Sequence, residues 1–230
     1  MANEKVDFDK YADDYDALLD QQLNFFSEDV DYYAQYKVNI VVEALVKNSE
    51  LPPKRILEFG CGTGRNLLSF RKQYPDAEIT GYDISEKSIE VAKASVKGAN
   101  LTTDLHDLLD NYYDLIFIAG VFHHIEPSLR KSVTNKVLHC LNPDGNVFVF
   151  EHNPFNPVTR KMVRECPFDE DAVLLKSSEM RKMLSTAGLR ILALKYTLFF
   201  PPNFVKKSER LDKLFTWLPL GGQYYVSARK

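Results

Sequence analysis

Arg55-Ile56-Leu57-Glu58-Phe59-Gly60-Cys61-Gly62-Thr63-Gly64 runs a short apolar strand straight into three glycines at alternate positions. Glycine at such a junction lets the backbone turn sharply and lets a ligand approach peptide N–H groups that no side chain shields. The dinucleotide fingerprint is GxGxxG, whereas here the glycines fall as GxGxG and Arg65 stands where the third would be. That spacing speaks against a nicotinamide or flavin cofactor. About twenty residues on, Asp83 closes the second apolar run, Glu78 to Ile84, where a carboxylate can accept hydrogen bonds from both hydroxyls of a ribose. An adenosine-bearing ligand is therefore expected.

Working outward, strand and helix patterns alternate. Asn66 to Gln73 and Glu86 to Lys97 read as helices, and Tyr113 to Ala119 as a buried strand. Ser128 to Leu141 follows as a helix, the turn Asn142-Pro143-Asp144-Gly145 closes it, and Asn146 to Glu151 is another buried strand. This order predicts an α/β domain with a parallel sheet covered by helices on both faces. Two helices are expected between residues 8 and 47. After Glu151 a proline-punctuated connection looks like an inserted cap, followed by a helix from Ser178 to Thr186 that Gly188 stops. Leu189 to Leu198 and Gln223 to Ala228 read as the closing strands, with an amphipathic helix from Lys207 to Leu218 between them.

The 230 residues suit one domain, 45% hydrophobic and 27% charged, with no biased tract. A net charge of -3 offers no general attraction for a phosphate backbone, so nucleic acid is not the expected partner. Cys61, Cys140 and Cys166 are odd in number and lack CxxC spacing, which predicts free thiols in a reducing compartment. The polar start and the absence of a membrane-length apolar run predict a soluble cytoplasmic protein without stable membrane insertion.

In order and spacing, ILEFGCGTG, GYDIS, TTDLHDLL and YDLIFIAGVFHHI resemble the class I S-adenosylmethionine-dependent methyltransferases, particularly the group containing the ubiquinone and menaquinone biosynthesis enzymes. The likeness covers about residues 8 to 152. It implies a Rossmann-like seven-stranded sheet, mostly parallel with an antiparallel last strand. It further implies S-adenosylmethionine as cofactor, S-adenosylhomocysteine as product, and Glu58, Gly60, Cys61, Gly62 and Gly64 around the methionine and ribose portions. By the same resemblance Asp83 holds the ribose, Ile84 packs on the adenine, and Asp104 with Leu105 meets the adenine amino group. Ala119, Gly120 and Val121 line the methionine end. The N-terminal stretch, residues 1–50, resembles a helical lid whose Tyr11 or Tyr15 covers the cofactor.

For the chemistry, alignment and desolvation carry most of a methyl transfer, and some acceptors also need a proton removed. His124 can act as base for a hydroxyl or an acidic carbon, and His123 with His124 can equally cap the strand. Glu151, His152 and Asn153 end the next strand on the same edge and form a second polar cluster. No metal is expected, because these groups lack the local spacing of a zinc site. Residues 153–176 and 199–222 are expected to cap a partly apolar small-molecule acceptor, with Phe199, Phe200, Phe204 and Trp217 either walling its pocket or filling core. Candidate bases favour O- or C-methylation over N-methylation. The rival readings are a cofactor-binding regulatory or assembly protein without catalysis, and an NAD-dependent oxidoreductase. The oligomeric state and the acceptor's identity are not legible.

Overall fold

A computed structural model describes Asp9, residues 31–200 and residues 208–230. Seven strands form one sheet: β1 (Arg55–Phe59), β2 (Glu78–Tyr82), β3 (Asn100–Thr102), β4 (Tyr113–Ala119), β5 (Leu141–His152), β6 (Arg190–Thr197) and β7 (Gln223–Arg229), in the order 3-2-1-4-5-7-6. β7 runs antiparallel to both β5 and β6, while β1 to β5 pair in parallel, as expected. The order reverses between β1 and β4, so the carboxyl ends of these two strands open a crevice at a topological switch point.

Alternation along the central strands sends successive side chains to opposite faces. Ile56, Leu115, Phe117, Phe148 and Phe150 face one core, with α1 (Tyr32–Lys47), α2 (Arg65–Gln73) and α3 (Glu86–Ser95) packed over it through Val38, Val41, Leu67, Phe70 and Ile89. Leu57, Ile116, Ile118, Val147 and Val149 face the other, under α4 (Arg130–His139) and α6 (Ser177–Thr186) through Val137, Leu138, Met180 and Leu184. Helices on both faces explain why β4 and β5 read as nearly continuous apolar runs.

Two local readings need correction. Asn142 to Gly145 belongs to the start of β5, where the pairing with β4 slips between Tyr113 and Leu115; the polar turn residues form a bulge within the strand. The connection after β5 contains a helix, α5 (Pro157–Glu165). Asn156 caps it by accepting from Val158 N and Thr159 N, and Pro157 fills its first position, where a missing N–H costs nothing. The last helix, α7 (Ser208–Phe215), falls within the predicted span.

Candidate functional site

The turn after β1 is shaped by three left-handed glycines, Gly60 (φ +77), Gly62 (φ +49) and Gly64 (φ +87). Gly60 N and Cys61 N both donate to Tyr82 O, which pins the turn to the end of β2. A Cβ on Gly60 would stand 2.3 Å from Val121 Cγ2, and one on Gly64 2.7 Å from Val96 Cγ2, so these two glycines are needed for packing. A Cβ on Gly62 would meet nothing within 4 Å and would enter a cavity. Asp83 accepts from Gly62 N (2.7 Å) and from Ser85 N (3.0 Å), locking the turn while lying at the same cavity's wall. Burial raises its carboxyl above the usual range.

The cavity has a volume of about 830 Å³ and runs from this turn along the carboxyl edge of the sheet. That is the upper range for small-molecule sites. Ile84 and Leu105 stand at its wall, 59% and 37% exposed, as apolar surface available to a ring. Ala119, Gly120 and Val121 complete this end. Asp104 does not reach the wall: its carboxylate accepts from His106 N and caps the short helical turn Leu105–Asp107. Cys61 reaches the cavity wall, but its thiol packs in the core among Ile56, Leu67 and Ile79, and burial pushes its pKa up. Tyr11 and Tyr15 lie outside the described residues. From the same N-terminal stretch, Asp9 accepts from Ser85 Oγ at 2.6 Å, next to Ile84.

Glu58 is fully buried behind the turn, bonded to Asn66 Nδ2 at 2.7 Å. Burial pushes its carboxyl up to about 8, against the opposing pull of Asn66 and of Lys37. Glu58 Oε2 and Asn66 Oδ1 are buried oxygens without a hydrogen-bond partner among the described residues. Glu58 does not reach the cavity wall and positions Asn66 from behind; the Asn66 acceptor on the wall and the cradle over Gly62 that a side chain would fill fit a ligand that carries a cationic donor and a ribose, as S-adenosylmethionine does.

At the far end of the cavity stand His123, His124 and His152, with Asp169. Glu151 corrects the sequence reading. It is 1% exposed and off the cavity wall, accepting from Val121 N (3.1 Å) and Phe122 N (2.7 Å) with one oxygen and holding His123 Nδ1 at 2.7 Å with the other. Backbone donors have captured this carboxylate, so it positions the loop after β4 and does not face a substrate. Asn153 is likewise consumed, donating to Pro219 O and Gly221 O. Only His152 of the three faces the cavity. Burial works against a charge on His123, yet Glu151 and Asp169 raise it to about 10. Burial, then the neighbouring His123 charge, drives His152 down to about 4, and the same two causes lower His124.

Sequence reasoning missed several wall residues. Tyr33 and Lys37 come from α1, Val158, Met162 and Val163 from α5, and Phe168 with Asp169 from the turn after it. The local signals for these residues are the Asn156-Pro157 start of α5 and the amphipathic spacing within it. The aromatic stretch divides: Phe199 and Phe200 line the cavity, Phe215 packs behind both with centroids 6.0 and 5.7 Å away, and Trp217 is 73% exposed. Trp217 therefore neither walls the pocket nor fills core, and Phe204 lies outside the described residues.

Residues 56–145 match the family model described as a methyltransferase domain. Demethylmenaquinone methyltransferase of Thermotoga maritima is 31% identical over 152 residues, covering 65% of this chain and 61% of the relative. Malonyl-[acyl-carrier protein] O-methyltransferase of Anoxybacillus flavithermus is 36% identical over 114 residues, 46% of this chain and 44% of the relative. The chain spans about half the length of the curated relatives it matches, from 41% to 61%. Among solved structures, a SAM-dependent methyltransferase from Thermotoga maritima superposes with a TM-score of 0.69 at 17% identity, over 97% of this chain and 98% of that one, which establishes a shared fold.

Proposed function

We propose that this chain carries a class I S-adenosylmethionine-dependent methyltransferase domain and transfers the methyl group of that cofactor to a small, partly apolar acceptor by O- or C-methylation, a reading supported by the matched methyltransferase domain, the methyltransferase relatives and the shared fold. The observation that carries this reading is one continuous cavity, with the Gly62 cradle and Asp83 at one end and a histidine cluster under an apolar wall at the other. When bound, the sulfonium supplies an activated methyl carbon. The chain's own residues then have three tasks.

Gly60 to Thr63 and Asp83 hold the adenosyl portion, with Ile84 and Leu105 offering apolar surface to its base. Val158, Met162, Phe168, Phe199 and Phe200 exclude water from the acceptor end, where alignment contributes most of the rate. His124 accepts the acceptor's proton at Nε2. Asp171, whose Oδ1 lies 3.3 Å from Nδ1, orients the ring from behind, as a carboxylate orients a catalytic imidazole. The caps that frame this end are tied together: Asn153 and Asn156 donate to carbonyls of residues 219–221, and Thr159 Oγ1 donates to Gly222 O.

Relatives named for menaquinone and malonyl-carrier methylation support an acceptor that is not nucleic acid. Three free, buried cysteines support a cytoplasmic location, and no helix among the described residues is long and apolar enough to cross a membrane. The test is methyl transfer from labelled cofactor into fractionated metabolites. Label in an oxygen- or carbon-bound methyl of a small molecule is the expected result. Cofactor binding without transfer to any fraction would favour the non-catalytic regulatory reading.

A further inference from the structure

We propose that His123, His152 and Asp169 form a binding site for a divalent first-row transition cation, with zinc as the best match, at the acceptor end of the cavity. No local spacing predicts a metal, because the three residues come from three separate segments. The fold nevertheless brings one ligand atom from each to within 4.8 Å of the others.

Three features point to a cation. The first is distance. His123 Nε2 lies 3.5 Å from Asp169 Oδ1. That is long for a charge-assisted hydrogen bond, which runs about 2.7–2.9 Å. It matches the edge of a tetrahedron around a cation with bonds of about 2.1 Å, whose ligand atoms stand roughly 3.4 Å apart. The second is orientation. Glu151 holds His123 Nδ1 at 2.7 Å, so the ring's other nitrogen is the one aimed at Asp169, and Glu151 is itself fixed by Val121 N and Phe122 N. A carboxylate on the outer nitrogen of a metal-binding histidine fixes its tautomer and raises its basicity. The third is composition. Two imidazoles with one carboxylate suit zinc, iron or cobalt, and they suit magnesium and calcium poorly, since those prefer all-oxygen shells.

Three protein ligands on a cavity wall leave a fourth position open, as in catalytic zinc sites. His124 Nε2, 3.3 Å from the same Asp169 oxygen, stands beside that position. A hydroxyl or enol oxygen of the acceptor occupying it would lie next to His124, which takes its proton. This role rests on the methyl-transfer reading; the binding site itself does not.

The test uses the full chain after dialysis against a chelator, titrated with Co²⁺ by visible absorption and with Zn²⁺ by calorimetry. One Co²⁺ per chain with the ligand-field bands of a four- or five-coordinate site is expected, with Zn²⁺ displacing it. Asp169→Asn, nearly isosteric, and His152→Ala should each weaken Co²⁺ binding by about 10–100-fold or more, with His106→Ala, outside the cluster, unchanged. Circular dichroism of each variant reports folding, and S-adenosylhomocysteine binding is measured separately. If that product analogue fails to bind while Co²⁺ does, the methyl-transfer reading falls and the metal site stands. No Co²⁺ uptake, uptake insensitive to Asp169→Asn and His152→Ala, or tighter binding of Mg²⁺ than of Zn²⁺ would each overturn the proposal and leave a proton alone between His123 and Asp169.

Discussion

Replacing Glu58 by Gln should remove most of one proton's worth of pH dependence from the folding stability of the cofactor-free chain. Glu58 is fully buried, and burial raises its carboxyl from 4.5 to about 8. The charged groups that face it are Lys37 from α1, which lowers it, and Asp83 beyond the turn, which raises it; Asn66 and the backbone of Leu67 donate to it. A carboxyl raised in the folded state binds its proton more tightly there. Its contribution to stability is full below pH 4.5 and is lost as pH climbs through about 8. The slope approaches 1.4 kcal/mol per pH unit in between, so wild type should lose about 2.5 kcal/mol from this group between pH values of about 5.5 and 7.5. Glutamine keeps the shape and an acceptor for Asn66 and has no proton to lose. Urea denaturation of both proteins at the two pH values isolates the group together with its coupling to Lys37 and Asp83, because titrations remote from Glu58 are shared. A wild-type loss exceeding the variant's by about 2 kcal/mol or more is the expected outcome. Parallel pH profiles would refute the claim that Glu58 is held protonated behind the turn.

Gly62→Val should abolish S-adenosylhomocysteine binding by calorimetry, because the added Cβ points into the cavity, and should also cost about 1–3 kcal/mol in urea, because Gly62 sits at φ +49, where a β-branched residue is strained. His124→Gln should lower kcat by about 10²-fold or more with little change in cofactor affinity, as expected of a proton acceptor used in the transition state. Phe200→Ala should raise KM for the acceptor, whereas Trp217→Ala, truncating a 73% exposed side chain, should leave both KM and melting temperature near wild type. Asp212→Ala should destabilise the chain by about 3 kcal/mol in urea, because Tyr36 Oη and the N–H groups of Leu198 and Phe199 all lose their acceptor.

What could be read from the sequence follows from how local each signal is. β1 and β4 came out at their true bounds because a strand buried on both faces is a short apolar run, and Gly60 to Gly64 could be placed because a strand-to-helix turn needs left-handed residues. α5 is signalled by Asn156-Pro157, an N-cap followed by a first-position proline, but the prolines around it read equally as breakers. Glu151 and Asn153 are illegible for a different reason. Residue type advertises a carboxylate and an amide at a sheet edge, but only the fold reveals that backbone groups of residues 121, 122, 219 and 221 have already engaged them. Lys37 and Asp169 were invisible as site residues, since each reaches the cavity from a segment distant in sequence from the glycine turn.

The central claim is that the turn after β1, with Asp83, holds an adenosyl cofactor, and calorimetric titration of S-adenosylhomocysteine into wild type and Asp83→Ala tests it most directly. Binding at one site per chain is expected, with the variant weaker by about 1.5–3 kcal/mol, roughly 10- to 150-fold, the typical contribution of hydrogen bonds to a charged group. NAD in the same cell should give no binding. Absence of binding to wild type, or equal affinity in Asp83→Ala, would contradict the account.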